Sequence, residues 1–192
     1  MSTTMPIKDR KALEKMKRYY LIKGEIRNHA LIVIGLNTAL RISDILALRW
    51  KDVYHYPKKQ FRRHIHLTEQ KTGKKSVIAL NPAVIEVLTL LREEEPDVEP
   101  EEYIFEGRKH TDKPIGRVQA YRIVKAAAEY AGMDEYVSCH SLRKTFGYFA
   151  WKQGVPPAML MNIYNHSSYQ ITRRYLCIEQ DERDEVFMNI KL

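Results

Sequence analysis

Apolar positions recur at helical spacing through the first quarter of the chain. Leu13, Met16, Tyr20 and Leu21 share one face of a segment over 9–22, and Leu31, Ile34 and Leu36 do the same over about 27–39. A short third helix, capped by Ser43 or Asp44, would turn Ile45, Leu46 and Leu48 inward. The period then changes to two. Residues 53–56, 63–67 and 76–80 are short and β-prone, with alternation in His64-Ile65-His66-Leu67 and a tight connection at Gly73. They predict a small three-stranded antiparallel sheet. Helical spacing returns at Asn81-Pro82, an N-cap followed by proline in the first turn. That helix carries Val84, Val87, Leu88 and Leu91. Further helices are expected over about 118–131, stopped by Gly132, over 141–153, stopped by Gly154, and from Pro156-Pro157. Two short ones follow, over 169–176 and 181–189. The pattern predicts a mainly α chain with a small sheet (α+β), with neither repeats nor an interdomain linker.

Length and composition set bounds on this picture. A chain of 192 residues, 44% hydrophobic, has material for one ordinary domain with a sizeable core. It holds no apolar run long enough for a transmembrane helix and begins without the apolar segment of a signal peptide. Its two cysteines, Cys139 and Cys177, are too few for a disulfide framework or a zinc site and read as small buried hydrophobes. The expectation is a cytoplasmic, metal-free protein without a cofactor. The formal charge is +8, while residues 93–102 hold seven acids and neither Lys nor Arg. A basic body with one segregated acidic loop suits a polyanionic partner, with the loop turned away from it.

Several polar residues stand out against the apolar pattern. Arg41 interrupts the passage between Leu36–Leu40 and the next helix, so it must reach an acid, a ligand or the surface; Asp44 is the simplest intramolecular partner. His140 and Arg143, at i and i+3 near a helix start, can share a face and grip an anion, with Leu142, Phe146 and Phe149 or Ala150 facing the core. Taken alone, His-x-x-Arg reads as a capped helix with two solvated side chains. Lys71 reads as a turn lysine, His166 as a capping residue and Tyr175 as a half-buried aromatic.

As an ordered set these residues are far more specific. Thr38-Ala39-Leu40-Arg41-Ile42-Ser43-Asp44, Gln70-Lys71-Thr72-Gly73-Lys74, His140-Ser141-Leu142-Arg143-Lys144-Thr145-Phe146, His166-Ser167-Ser168 and Arg174-Tyr175-Leu176 follow one another in order and spacing. Over about residues 9–190 the sequence resembles the C-terminal catalytic domain of the tyrosine recombinases, or phage-type integrases. Two positions depart from the family pattern: Ala39 and Asn165 stand where glycine is usual. Each replaces backbone freedom with a side chain and removes no chemical group.

The resemblance implies a site-specific recombinase that cuts and rejoins double-stranded DNA through a covalent 3′-phosphotyrosyl link. Tyr175 would be the nucleophile, releasing a 5′-hydroxyl. Arg41 and Arg143 would clamp the non-bridging oxygens, and Lys71 would protonate the leaving oxygen. His140 would accept or donate the tyrosine's proton. His166 would hydrogen-bond the phosphate or orient Tyr175. The bond energy stays in the phosphotyrosine, so neither metal nor cofactor is required. The resemblance also implies a monomer when free, a homotetramer on DNA, and accessory DNA-bending proteins as possible partners. Residues 180–192, with Val186, Phe187, Ile190 and Leu192, would pack on their own domain or dock on a neighbouring subunit. The first arginine box begins too early to leave room for a separate N-terminal DNA-binding domain, so the chain is expected to be an excised catalytic domain or a compact recombinase. Weak, strongly salt-dependent DNA binding is expected of it. A type IB-like topoisomerase and a non-catalytic DNA-binding regulator are the competing readings.

Overall fold

A computed structural model of the chain describes residues 4–107, 112–133 and 136–190. Helix α1 (Arg10–Ile22) starts where the Asp9 carboxylate accepts from the Lys11 amide, and it buries Met16 and Tyr20. Helix α2 (Ile26–Thr38) is buried along most of its length, from Ala30 to Leu36, and forms the centre of the molecule. Two short helices, α3 (Ile42–Leu46) and α4 (Trp50–Val53), lead into the β segment. Ser43 and Asp44 lie inside α3 rather than at its cap. The N-cap position belongs to Arg41, whose extended backbone releases its side chain from the helix.

The three-stranded sheet does not form. The chain instead builds two separate antiparallel pairs among the described residues: β1 (Tyr54–His55) with β2 (Gln60–Phe61), and β3 (His64–Thr68) with β4 (Lys75–Ala79). Within 53–56 only Tyr54–His55 is strand, and the 3-10 turn Tyr56–Lys58, followed by Lys59 at φ 48°, folds it back onto β2 instead of β3. In the second pair Ile65 is buried and faces Ile78, while His64 and His66 face outward, so the period-two alternation holds.

Helix α5 (Pro82–Glu94) is capped by Asn81 and buries Val84, Val87, Leu88 and Leu91 against α2. Helix α6 (Arg117–Tyr130) completes this first core with Ala120, Ile123, Val124, Ala127 and Ala128. Helix α7 (Cys139–Lys152) begins two residues earlier than its pattern predicts. Ser138 and Ser141 close a capping box there, each side chain accepting from the other's amide. Its inward face is also more polar than expected. Arg143, Lys144 and Thr145 are buried with Leu142 and Tyr148, whereas Phe146, Phe149 and Ala150 are only half-buried.

A second, smaller core explains that polarity. Ala39, Tyr148, Leu160, Tyr164, Leu176 and Ile178 cluster around the C-terminal half of α7, with α8 (Pro157–Tyr164) and α9 (Tyr169–Leu176). Helix α7 therefore lies between two apolar cores, with Leu142 in the first and Tyr148 in the second. Polar side chains are tolerated in the seam because they bond across it. The last helix, α10 (Glu179–Asn189), starts two residues before its expected position and buries nothing. Its first half is tethered by Lys8–Asp181 at 2.6 Å, Arg173–Glu182 at 2.5 Å and Lys152–Glu185 at 2.5 Å. No helix among the described residues is long and apolar enough to cross a membrane.

Candidate active site

Two left-handed residues deliver the site's first side chains. Ala39 ends α2 at φ 53° and Asn165 ends α8 at φ 56°. Each reverses the chain, and the residues that follow are Leu40-Arg41 in one case and His166 in the other. These are the two positions where the family pattern carries glycine, and the positive φ is the physical reason. Asn165 suits this geometry better than Ala39, and its side chain also accepts from Lys74 Nζ at 3.4 Å.

Arg41 does not pair with Asp44. Its guanidinium donates to Glu69, a buried carboxylate at the end of β3. Glu69 also accepts from Thr72 Oγ1 at 2.8 Å and from Ser76 Oγ at 2.9 Å. Burial pushes its carboxyl up, but the two hydroxyls and the Arg41 charge more than offset this and hold it below the ordinary carboxylate range. Asp44 supports the same turn from the other side, its Oδ1 accepting from the Gln70 amide at 2.9 Å. Lys71 is therefore an exposed side chain on a turn pinned by two acids.

Arg143 is almost completely buried, and its guanidinium lies 4.8 Å from the centroid of the Tyr164 ring. Tyr164 in turn donates to the Arg143 carbonyl at 2.8 Å, stacks on His166 with centroids 5.7 Å apart, and meets Tyr175 at 5.2 Å. The His166 and Tyr175 rings meet edge-on at 5.3 Å. His166 Nδ1 lies 3.1 Å from Thr172 Oγ1, one turn before Tyr175 on α9. Lys144 Nζ completes the surroundings, 5.2 Å from the Tyr175 ring and 2.5 Å from the Thr4 carbonyl.

The charges bear on one another as a group. Burial raises the Tyr175 phenol above its ordinary value of 10.0, and the Arg143 and Arg41 cations oppose that rise. His140 is exposed at its edge, yet enough protein surrounds it to lower its value below 6.5, with the charges of Lys144, Arg143, Lys71 and Arg41 adding to the effect. His166 is lowered too, first by burial and then by Arg143 and Arg41. The six residues singled out in the sequence thus share one electrostatic neighbourhood, although they come from five separate segments. An arginine pair near a half-buried phenol is suited to holding a phosphodiester while that phenol attacks it.

Sequence reading missed Glu69, Tyr164, Thr172 and the burial of Lys144. An acid beside a β-prone run and an aromatic near a helix end carry no distinctive signal. Only the spacing of Tyr164, two residues before His166, was available as a hint.

Comparison with known proteins bears on the family and the fold. The model of the "Phage integrase family" matches residues 8–182. The "Probable integrase/recombinase YoeC" of Bacillus subtilis is 40% identical over 181 residues, covering 94% of this chain and 93% of that protein. The tyrosine recombinase XerD of Corynebacterium glutamicum is 26% identical, and there the match covers 85% of this chain but 52% of the relative. Among solved structures, the XerA recombinase superposes with a TM-score of 0.75 at 16% identity, covering 98% of this chain and 65% of its own. A post-cleavage complex of the XerH site-specific recombinase with DNA gives the same TM-score at 20% identity, covering 97% and 52%. At those identities the structural matches establish the fold, mostly helical with small antiparallel sheets.

Proposed function

The chain belongs to the phage integrase family, and on that premise we propose that it is a site-specific DNA recombinase acting through a covalent 3′-phosphotyrosyl intermediate. The observation that carries this reading is the half-buried Tyr175 ring packed on Tyr164 and His166, with the buried Arg143 guanidinium over the same Tyr164 ring at 4.8 Å. Tyr175 attacks the scissile phosphorus. The two arginines take the charge that grows on the non-bridging oxygens, a form of stabilisation worth about 3 kcal/mol per donor in comparable sites. Neutral His140 accepts the phenolic proton, Lys71 protonates the departing 5′-oxygen, and His166 orients the nucleophile. The 5′-hydroxyl of another strand then reverses the step, so the bond count is conserved and no cofactor is consumed.

The partner is double-stranded DNA, which keeps the protein in the cytoplasm with its substrate. Strand exchange needs four such sites, so the working form is a homotetramer on DNA built from free monomers, with accessory bending proteins as further partners. The tail supports this assembly. Beyond its tethered first half, Val186, Phe187, Met188 and Ile190 are all exposed, Phe187 at 79%. These residues are assigned to docking on a neighbouring subunit; Leu192 lies outside the described residues.

The test is covalent capture. Nicked duplexes from a randomised pool are incubated with the protein, and sequences retained as denaturation-resistant adducts are recovered. Adducts that vanish with Tyr175→Phe support the proposal, while their absence from the wild type, or persistence in the variant, refutes it. Relaxation of plasmids lacking any captured sequence would indicate a topoisomerase instead.

A further inference from the structure

We infer that Glu69 is a positioning residue that holds Arg41 and the Lys71 turn in one register, so that the phosphate clamp and the proton donor move together. This rests on the roles proposed above for Arg41, Lys71 and Tyr175. Both links meet on a single carboxylate. Glu69 Oε2 accepts from Arg41 Nη1 and, at 2.8 Å, from Thr72 Oγ1; Oε1 accepts from Ser76 Oγ at 2.9 Å. Thr72 follows Lys71 directly, and Ser76 lies on β4 across the hairpin. The Gly73 amide donates to the Glu69 carbonyl at 2.8 Å, and the Glu69 amide to the Lys74 carbonyl at 2.9 Å. The turn is thus closed by Glu69's backbone and oriented by its side chain.

The chemistry favours a positioning role over a reacting one. Glu69 is 5% exposed and its carboxyl is held below the ordinary range, so it stays ionised and offers no proton at working pH. An arginine with five N–H groups can give one to Glu69 and still present others to a phosphate. A lysine on a free turn would sample many orientations, whereas proton transfer requires it within hydrogen-bond reach of the leaving oxygen. The shared carboxylate restricts both groups at once.

The two links are separable with a sulfur-substituted substrate. Cleavage in single turnover is compared on a captured nicked duplex and on the same duplex carrying 5′-bridging sulfur at the scissile phosphate. A thiolate departs without being protonated, so only the ordinary substrate depends on Lys71. Thr72→Val/Ser76→Ala frees the turn and leaves Arg41 its partner. It is expected to slow the ordinary substrate about tenfold or more, a fraction of what a general acid contributes, and to approach wild-type rates on the sulfur substrate. Glu69→Gln keeps one oxygen acceptor and puts an NH2, which a hydroxyl can accept from, in place of the other; it loses the charge facing Arg41 and is expected to slow both substrates. If the paired change compromises folding, Thr72→Val alone serves the same comparison. Wild-type rates for these variants on ordinary DNA would overturn the inference, as would a loss in the Thr72→Val/Ser76→Ala or Thr72→Val protein that sulfur does not relieve. Failure of the wild type to form any Tyr175-dependent adduct is a different result, and it removes the underlying reading as well.

Discussion

The imidazole of His166 is held by a polar and an aromatic contact at once: Nδ1 lies 3.1 Å from Thr172 Oγ1, and the ring meets Tyr175 edge-on at 5.3 Å. Thr172 is fully buried and Tyr175 is the next residue but two on the same helix. A hydroxyl on α9 therefore fixes the histidine that faces Tyr175, the proposed nucleophile, on that helix. Thr172→Val keeps the volume and removes the bond, at a cost of about 1 kcal/mol in stability. Cleavage should fall several-fold more than that loss of folded protein explains. Equal falls in adduct yield and folded fraction would show that Thr172 serves packing alone.

Gly147 allows α7 to approach α8 and α9 closely. A Cβ there would collide with the Tyr164 hydroxyl and with Leu176, both in the second core. Gly147→Ala should destabilise the protein by about 1–3 kcal/mol, read from chemical denaturation. It should also impair the site, because Tyr164 contacts Arg143, His166 and Tyr175. A neutral result would mean that the seam between α7 and α8 opens more readily than its packing indicates.

Both histidines are depressed below 6.5, His140 chiefly by burial with nearby cations adding to it, and His166 by burial and then Arg143 and Arg41. In the unfolded chain they would protonate first as pH falls. Their effect on stability is therefore absent above pH 6.5, and stability is lost progressively from there down through the folded-state values. Cleavage that uses neutral His140 should keep its acid limb below pH 6.5. Added salt should move that limb upward by screening the cations. A single-turnover profile with its acid midpoint above 6.5 would contradict this.

Ala39 occupies a left-handed conformation with its side chain in the second core. Ala39→Gly relieves strain but gives up a buried methyl and adds freedom to the unfolded chain, so its stability should change by no more than about 1 kcal/mol. Ala39→Val, β-branched at positive φ, should lose about 2 kcal/mol or more. Thermal unfolding of the two variants measures the difference. If valine were tolerated as well as glycine, the turn into Arg41 would have to be more adaptable than the structure indicates.

Phe187 and Met188 are 79% and 77% exposed. Replacing both with serine should alter monomer stability by less than about 0.5 kcal/mol, while reducing assembly on DNA. Unchanged synapsis in a gel-shift assay would assign the tail to its own domain.

The helices were legible because one face of each is apolar and their ends carry local signals: Asp9, Asn81 and Ser168 cap α1, α5 and α9, and Gly132 and Gly154, both at positive φ, follow α6 and α7. The strands were less legible. A two-residue strand such as β1 has too little pattern to declare its partner, and pairing is settled by which segment the intervening turn brings alongside. The capping of α7 was misjudged by two residues because Ser138 and Ser141 both qualify and only backbone geometry selects between them.

The six functional candidates could be named from the linear order of the sequence, because the chemistry demands particular side chains and the family spaces them in a regular way. Their partners could not. Arg41 had Asp44 three residues away, yet it bonds Glu69, 28 residues distant, because Arg41 lies at the cap of α3 and Asp44 lies within it. Residue type and order specify which groups are available. Which acid meets which base, and which tyrosine lies beneath them, depends on chain reversals and on two cores closing over one helix, and those exist only in the folded protein.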